Sequence, residues 1–277
     1  MKQPNATTKA SAPPLAKRSD TDPWSAAQPN RSADHPVARH SILKSIVLHL
    51  LPGLLALLVF TLIARPVEAM GFPSIMPWLI TVLFVIIPFE LGYMYYVGRK
   101  WNGRWSLAGI IRYRQPLNEW QILLWTAITF GAVLVLFVVA GPITGYLEAI
   151  AVAWLPAWFV MDTGVADGSF QTSTLLVVNI SSIFVFVIGV AIVEELYFRG
   201  FLLPRLAYLG GWAVLINSLL FALYHFTTPW QLVTRVLITL PLAYVAYRKQ
   251  NLIPSMLVHA LANSVDVIMG FAYILSR

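Results

Sequence analysis

Cysteine is absent from all 277 residues. No disulfide framework, thiolate metal site or cysteine nucleophile can therefore exist, which excludes cysteine proteases and zinc-finger-like modules. Charge is also scarce, at 11% of residues against 58% hydrophobic. A soluble domain carries about 25% charged residues to cover its surface. The apolar excess points to a single membrane bundle, although the length alone would permit one or two domains. No internal repeat is visible. A net charge of +7 raises nucleic acid as a partner, but the placement of the charges speaks against it.

Residues 1–41 are rich in Pro, Ser, Ala, Asn and Thr, and include Pro13-Pro14, Pro23, Pro29 and Pro36. With no apolar period they read as a disordered tail. They do not read as a cleaved signal peptide, because the first apolar run begins too late. That run, Ile46 to Ala64, has 19 residues without a charge, and His49 is its one ionisable side chain. Its length suffices to cross a hydrocarbon core of ~30 Å. Further runs cover Ile75 to Val97, Ile122 to Ile143, Leu175 to Val193, Leu206 to Phe226, Val233 to Tyr247 and Leu252 to Leu275. Leu147 to Val160 holds Glu148 and Pro156; a run this short is expected to be interfacial or re-entrant. The expected fold class is all-α: a polytopic membrane bundle of about seven transmembrane helices. Residues 42–172 form its N-terminal helices and loops, and residues 173–277 its second group.

Sixteen of the nineteen Lys and Arg residues fall in the tail and in the loops after the second, fourth and sixth spans. The alternate loops hold only Arg65 and Arg277, and Arg235 lies inside a span. This asymmetry sets the N-terminus in the cytoplasm and the C-terminus outside. It also accounts for the basic character without nucleic acid.

A charged side chain at the centre of a membrane helix costs ~2.5–3.5 kcal/mol on insertion scales. The last third of the chain nevertheless has a dense cluster of ionisable groups. Glu194 and Glu195 follow an uncharged run, and Arg199 lies four residues after Glu195, on one helical face in the favourable acid-first order. Glu194 points about 100° away from its neighbour. One carboxylate can thus be held by the arginine while the other faces elsewhere. Phe221 and His225 share a face, as do His259 and Asn263. Each set alone has a bland reading: a charged interface, a helix-end histidine, a structural hydrogen bond between helices. Together, on three spans, they make a catalytic constellation. A buried carboxylate can take a proton from water, a histidine can relay it, and imidazole N–H and amide groups can stabilise an oxyanion. No serine or cysteine nucleophile is needed if water attacks.

Glu194-Glu195-x-x-x-Arg199, Phe221-x-x-x-His225 and His259-x-x-x-Asn263, in this order, resemble the three motifs of the CPBP intramembrane proteases. That family takes in type II CAAX prenyl proteases and bacterial bacteriocin-processing and immunity relatives, also called Abi proteins. The stretch Glu-Glu-Leu-Tyr-Phe-Arg-Gly-Phe-Leu-Leu adds to the match, which covers roughly Leu175 to Leu275. The resemblance implies an intramembrane endopeptidase acting on a membrane-associated peptide or protein tail. It implies Glu194 as the base that activates water, helped by His225. It implies His259 and Asn263 on the oxyanion side, with Glu195 and Arg199 as the supporting pair. Bacterial relatives imply a bacterial inner (cell) membrane. No cofactor is the reading taken; a zinc-dependent version would use Glu194, His225 and His259 as ligands, though His-Glu-x-x-His is absent.

Two other readings compete. One is a catalytically silent immunity or binding protein. The other is a small transporter with carboxylates as proton carriers, against which the missing repeat counts. Three details are left to geometry. Glu194 and His259 lie toward one side of the membrane and His225 toward the other, unless the fourth helix runs on to about Leu203 and the fifth is short and tilted. Arg235 and Asp266 are expected to pair across the sixth and seventh helices, away from the catalytic cavity. Glu90, just after Pro88, lines the cavity or caps a kink.

Overall fold

The computed structural model describes residues 38–160 and 170–276. Most of the segment read as a disordered tail, residues 1–37, lies outside them. Among the described residues the regular elements are all helical, joined by turns and loops, with one isolated bridge between Arg114 and Asn251. Seven helical rods follow one another: α1 Ile42–Ala69, α2 Ile75–Asn102, α3 Glu119–Trp154, α4 Thr172–Leu209, α5 Trp212–Leu223, α6 Leu232–Lys249 and α7 Ile253–Ser276. Five of them, α1 to α4 and α7, are long and apolar enough to cross a membrane. This is an integral membrane protein built as a polytopic helix bundle.

Local signals set the ends of these rods. Ser41 caps α1, its hydroxyl accepting from the Lys44 amide at 3.2 Å. Asn118 and Gln121 form a reciprocal capping box at the start of α3, which satisfies two otherwise unpaired amides. Between α4 and α5 the chain turns at Gly210, whose φ of 61° lies in the left-handed region that favours glycine. The fifth span therefore starts later and ends earlier than its apolar run suggests.

The run Leu147 to Val160 is not a separate re-entrant segment. α3 continues through Pro142 and Glu148 to Trp154, and a short 3-10 turn at Ala157–Phe159 follows. Proline is tolerated within membrane helices, so the break read from composition does not occur. At 36 residues, α3 is about 54 Å long, well beyond a ~30 Å core, and its end emerges from the apolar layer or tilts within it. Its outer face carries Leu123, Leu124, Ile128, Phe137 and Val138, all exposed.

α4 is the central rod and packs against α1, α2, α5, α6 and α7. Its Tyr197, Phe198, Phe201, Leu202, Leu203 and Leu206 are completely buried. Two π-helical stretches, Ile183–Val190 and Glu195–Leu202, interrupt it on either side of Glu194. Such wider turns are frequent at functional sites. α4 runs on past Leu203, and α5 has only 12 residues, about 18 Å. Both features remove the vertical offset between His225 and Glu194. The loops that carry the basic residues meet at one end of the bundle. There the Arg112 amide donates to Gly200 O at 2.9 Å, Gln115 to Gln250 O at 2.7 Å, and His40 to Arg205 O at 3.2 Å.

Candidate active site

Glu194 and Glu195 sit at the junction between the α-helical turn Ala191–Glu194 and the second π-helical stretch of α4. They are 3% and 0% exposed. One turn on, the Arg199 guanidinium lies 3.2 Å from Glu195 Oε1 without an aligned hydrogen bond. It also rests 4.1 Å from the centre of the Phe221 ring, a face that attracts a cation. The sequence pairing of Glu195 with Arg199 is therefore realised, and Phe221 of the second motif serves as its platform.

His259 enters from α7 and stands between the two glutamates. Its Nδ1 is 3.1 Å from Glu195 Oε1, and its Nε2 is 3.8 Å from Glu194 Oε2. Tyr224, just past the end of α5, donates its hydroxyl to Glu194 Oε1 at 2.7 Å. The neighbouring His225 donates Nδ1–H to the Phe221 carbonyl at 2.8 Å. Its ring lies edge-on to Tyr224 and Phe221, at 4.5 and 4.9 Å between centres. With Nδ1 committed to a carbonyl, neutral His225 presents the lone pair of Nε2. Asn263, one turn beyond His259, donates its amide to Phe186 O at 2.9 Å, and an amide group has a second N–H to offer.

Glu194, His225, His259 and Asn263 all line one cavity of about 250 Å³, together with Arg199, Phe221 and Tyr224. The structure thus brings together the four residues singled out as catalytic, and Glu195 touches the site through His259. Among the described residues no hydrogen bond joins His225 to Glu194; the partners of Glu194 are Tyr224 and His259. Nor do any three His, Asp or Glu side chains among the described residues gather as a metal-ligand group.

Arg235 and Asp266 depart from expectation. They form no ion pair with each other, and both line the catalytic cavity. Arg235 lies in the first turn of α6 and reaches back to Thr228 Oγ1, at 2.6 Å, in the connection before that helix. Asp266, two turns beyond His259 on α7, is accessible at its surface and lines the cavity. Glu90 is completely buried, and neither of its carboxyl oxygens has a hydrogen-bond partner. It lies one turn beyond Ile86, which does line the cavity.

Sequence reasoning missed Tyr224 and placed Arg235 elsewhere. The signal for Tyr224 was its phenol beside His225 at the end of an otherwise apolar run. The signal for Arg235 was its position close behind Pro229, where a helix begins and not where one is buried.

Residues 176–265 match the family model described as Type II CAAX prenyl endopeptidase Rce1-like. No curated protein and no solved structure matches the chain. The matched stretch contains all three motifs and ends two residues after Asn263. That match spans the residues of the three motifs that line the cavity, so residues 176–265 of this chain are similar to the type II CAAX prenyl endopeptidase family.

Proposed function

We propose that the protein hydrolyses a peptide bond of a membrane-associated peptide or protein tail, using water activated by Glu194 and His225. The observation that carries this reading is the Glu194 carboxylate held by Tyr224 and facing His259, in a cavity that also contains His225 and Asn263. Water between Glu194 and the free Nε2 of His225 attacks the scissile carbonyl carbon. Its proton passes to Glu194, while the carbonyl oxygen becomes an oxyanion. The second N–H of Asn263 donates to that oxyanion. His259, oriented by the contact of its Nδ1 with Glu195, presents its Nε2 side to the same space as a second donor to the oxyanion. Collapse of the intermediate breaks the C–N bond, and Glu194 returns the proton to the leaving amine. Glu195 and Arg199 orient His259 and, through it, the base.

These residues supply water activation and oxyanion stabilisation without a metal, which is the reading we adopt. The partners are the peptide substrate and the lipid bilayer, and nucleic acid has no part. The basic loops gathered at one end of the bundle support a cytoplasmic N-terminus and an outside C-terminus, in a bacterial inner membrane. Purified protein in lipid, assayed on a peptide library with and without chelator, tests the proposal. Cleavage that survives the chelator is expected. Absence of cleavage across the library, with substrate-like peptides still bound, would favour a silent binding protein instead.

A further inference from the structure

At the end of the bundle where α1 begins and α2 finishes, a second cavity of about 110 Å³ opens away from the catalytic one. His40, Lys44, Lys100 and Arg205 line it, with Tyr96 and Trp101 beside them. No acidic residue is among its lining residues. The chain supplies none between residues 38 and 67, nor between 91 and 118. Among the described residues, three cations thus face one small space with no acidic side chain lining it, an arrangement that costs electrostatic energy unless an anion enters.

The site is built and not merely coated with lysines. The backbone of His40 is tied on both sides: its N–H donates to Arg205 O at 3.2 Å, and its carbonyl accepts from Tyr208 Oη at 3.1 Å. The ring is 4% exposed and stands edge-on to Phe201 at 6.0 Å, yet Nδ1 has no hydrogen-bond partner. A buried, unpartnered ring nitrogen held this firmly calls for an explanation. Arg205 is fixed in the same way. Its Nη1 donates to the carbonyls of Phe201 and Ile110, and its guanidinium lies 3.7 Å from the centre of the Phe201 ring. An arginine has five donors, so those two bonds position the group and do not exhaust it. Lys44 and Lys100 are exposed and free to fold over a ligand.

Position identifies the ligand's chemistry. The 28-residue apolar rods α1 and α2 start and stop at this level, so the cavity lies where headgroups meet hydrocarbon. Tyr96 and Trp101, 54% and 42% exposed, are the aromatic residues typical of that interface. The volume suits one phosphate-sized group and no peptide segment. Basic hollows between membrane helices bind phospholipid headgroups for these reasons. We propose that the cleft formed by His40, Lys44, Lys100 and Arg205 binds a phosphate group, carried by an anionic phospholipid headgroup or by free phosphate.

Native mass spectrometry of the full chain in detergent, titrated with phosphatidylglycerol, phosphatidylcholine or inorganic phosphate, tests this. Phosphatidylglycerol is expected to bind more tightly than phosphatidylcholine. The double variant Lys44→Gln/Lys100→Gln should weaken that binding on the order of tenfold. The exposed pair Arg104→Gln/Arg114→Gln, outside the cleft, should change it by less than about twofold. If inorganic phosphate competes with phosphatidylglycerol and shows the same sensitivity to the lysine variant, the source is free phosphate. If phosphate has no effect, it is the lipid headgroup. Equal losses in both double variants, or equal binding of the two lipids, would overturn the proposal, because the contribution would then be diffuse surface charge. Lys44 and Lys100 are remote from the reacting groups, so the outcome stands apart from whether the cavity at Glu194 is catalytic.

Discussion

The four C-terminal rods and the three N-terminal ones contribute different things to the same site. α4, α7 and the connection just after α5 carry every side chain proposed to react. α1 and α2 carry none, yet they form the wall against which those side chains are held. Tyr197 donates to Leu48 O of α1 at 2.8 Å. Asn217 of α5 bonds both to His49 of α1 and to Phe198 O of α4, each at 3.0 Å. Gly53 of α1 meets the backbone of Tyr224 so closely that a Cβ there would lie 1.9 Å from the Tyr224 carbonyl. Lipid tails are as apolar as leucine, so helices in a membrane associate through close packing and hydrogen bonds more than through a hydrophobic drive. On the proposed mechanism the motif-bearing rods carry the reacting groups, and α1 packs and hydrogen-bonds against them.

The comparison can be broken from either side. The largest effect is expected from Arg199→Ala, which leaves Glu195 as a buried charge without its arginine. A loss of about 3–5 kcal/mol of stability should appear as a lower midpoint in thermal unfolding, with little active protein recovered. Asn263→Ala should lower kcat by about 10²–10³ with the fold intact, read by peptide turnover and an unchanged melting profile. Tyr224→Phe removes one hydrogen bond to a carboxylate, worth about 1.5–3 kcal/mol. Turnover should fall by roughly ten- to a hundredfold, with KM little changed. Gly53→Ala tests the wall itself. It touches no reacting group but should displace Tyr224, cost about 1–3 kcal/mol from overpacking, and lower kcat. Gly92→Ala, with open space around its Cβ, should do neither. Equal behaviour of the two glycine variants would refute the assigned role of α1.

The smallest effect is expected outside the spans, at His40. Burial, and then the charges of Lys44, Arg205 and His49, push its pKa down to about 3 from an ordinary 6.5. The unfolded chain binds the proton more readily, so this histidine's contribution to stability is full above pH 6.5 and is lost as pH falls from there toward 3. Melting curves between pH 7 and 5 should show a shallow decline that His40→Gln reduces.

Much of this was legible in the sequence, and the reasons differ by element. Seven apolar runs became seven rods because an apolar run has no alternative to helix in lipid. The three motifs converged because polar residues inside a membrane span turn away from lipid. The extension of α4 past Glu194 to about Leu203 followed from the need to bring Glu194 level with His225, and the rod in fact runs on to Leu209. What escaped was set by tertiary contact. Pro142 gave no hint that α3 would run straight through it. Arg235 found Thr228 and the cavity, not Asp266, because it lies in the first turn of α6 and reaches back into the preceding connection. The Tyr224 hydroxyl reaches Glu194 only because the short α5 ends at that height, against Gly53. Nothing in the composition of Ile75 to Val97 indicated that Glu90 would be buried with both carboxyl oxygens unpartnered.

The central claim is that Glu194 activates water and does not serve as a metal ligand. Turnover of a cleaved peptide by Glu194→Gln and by the parent protein in lipid, each with and without chelator, addresses it directly. An amide preserves the shape and accepts from Tyr224 but cannot take the proton. The account predicts a folded variant with almost no turnover and a parent protein indifferent to the chelator. Full activity in Glu194→Gln, or chelator inactivation of the parent restored by zinc, would contradict it.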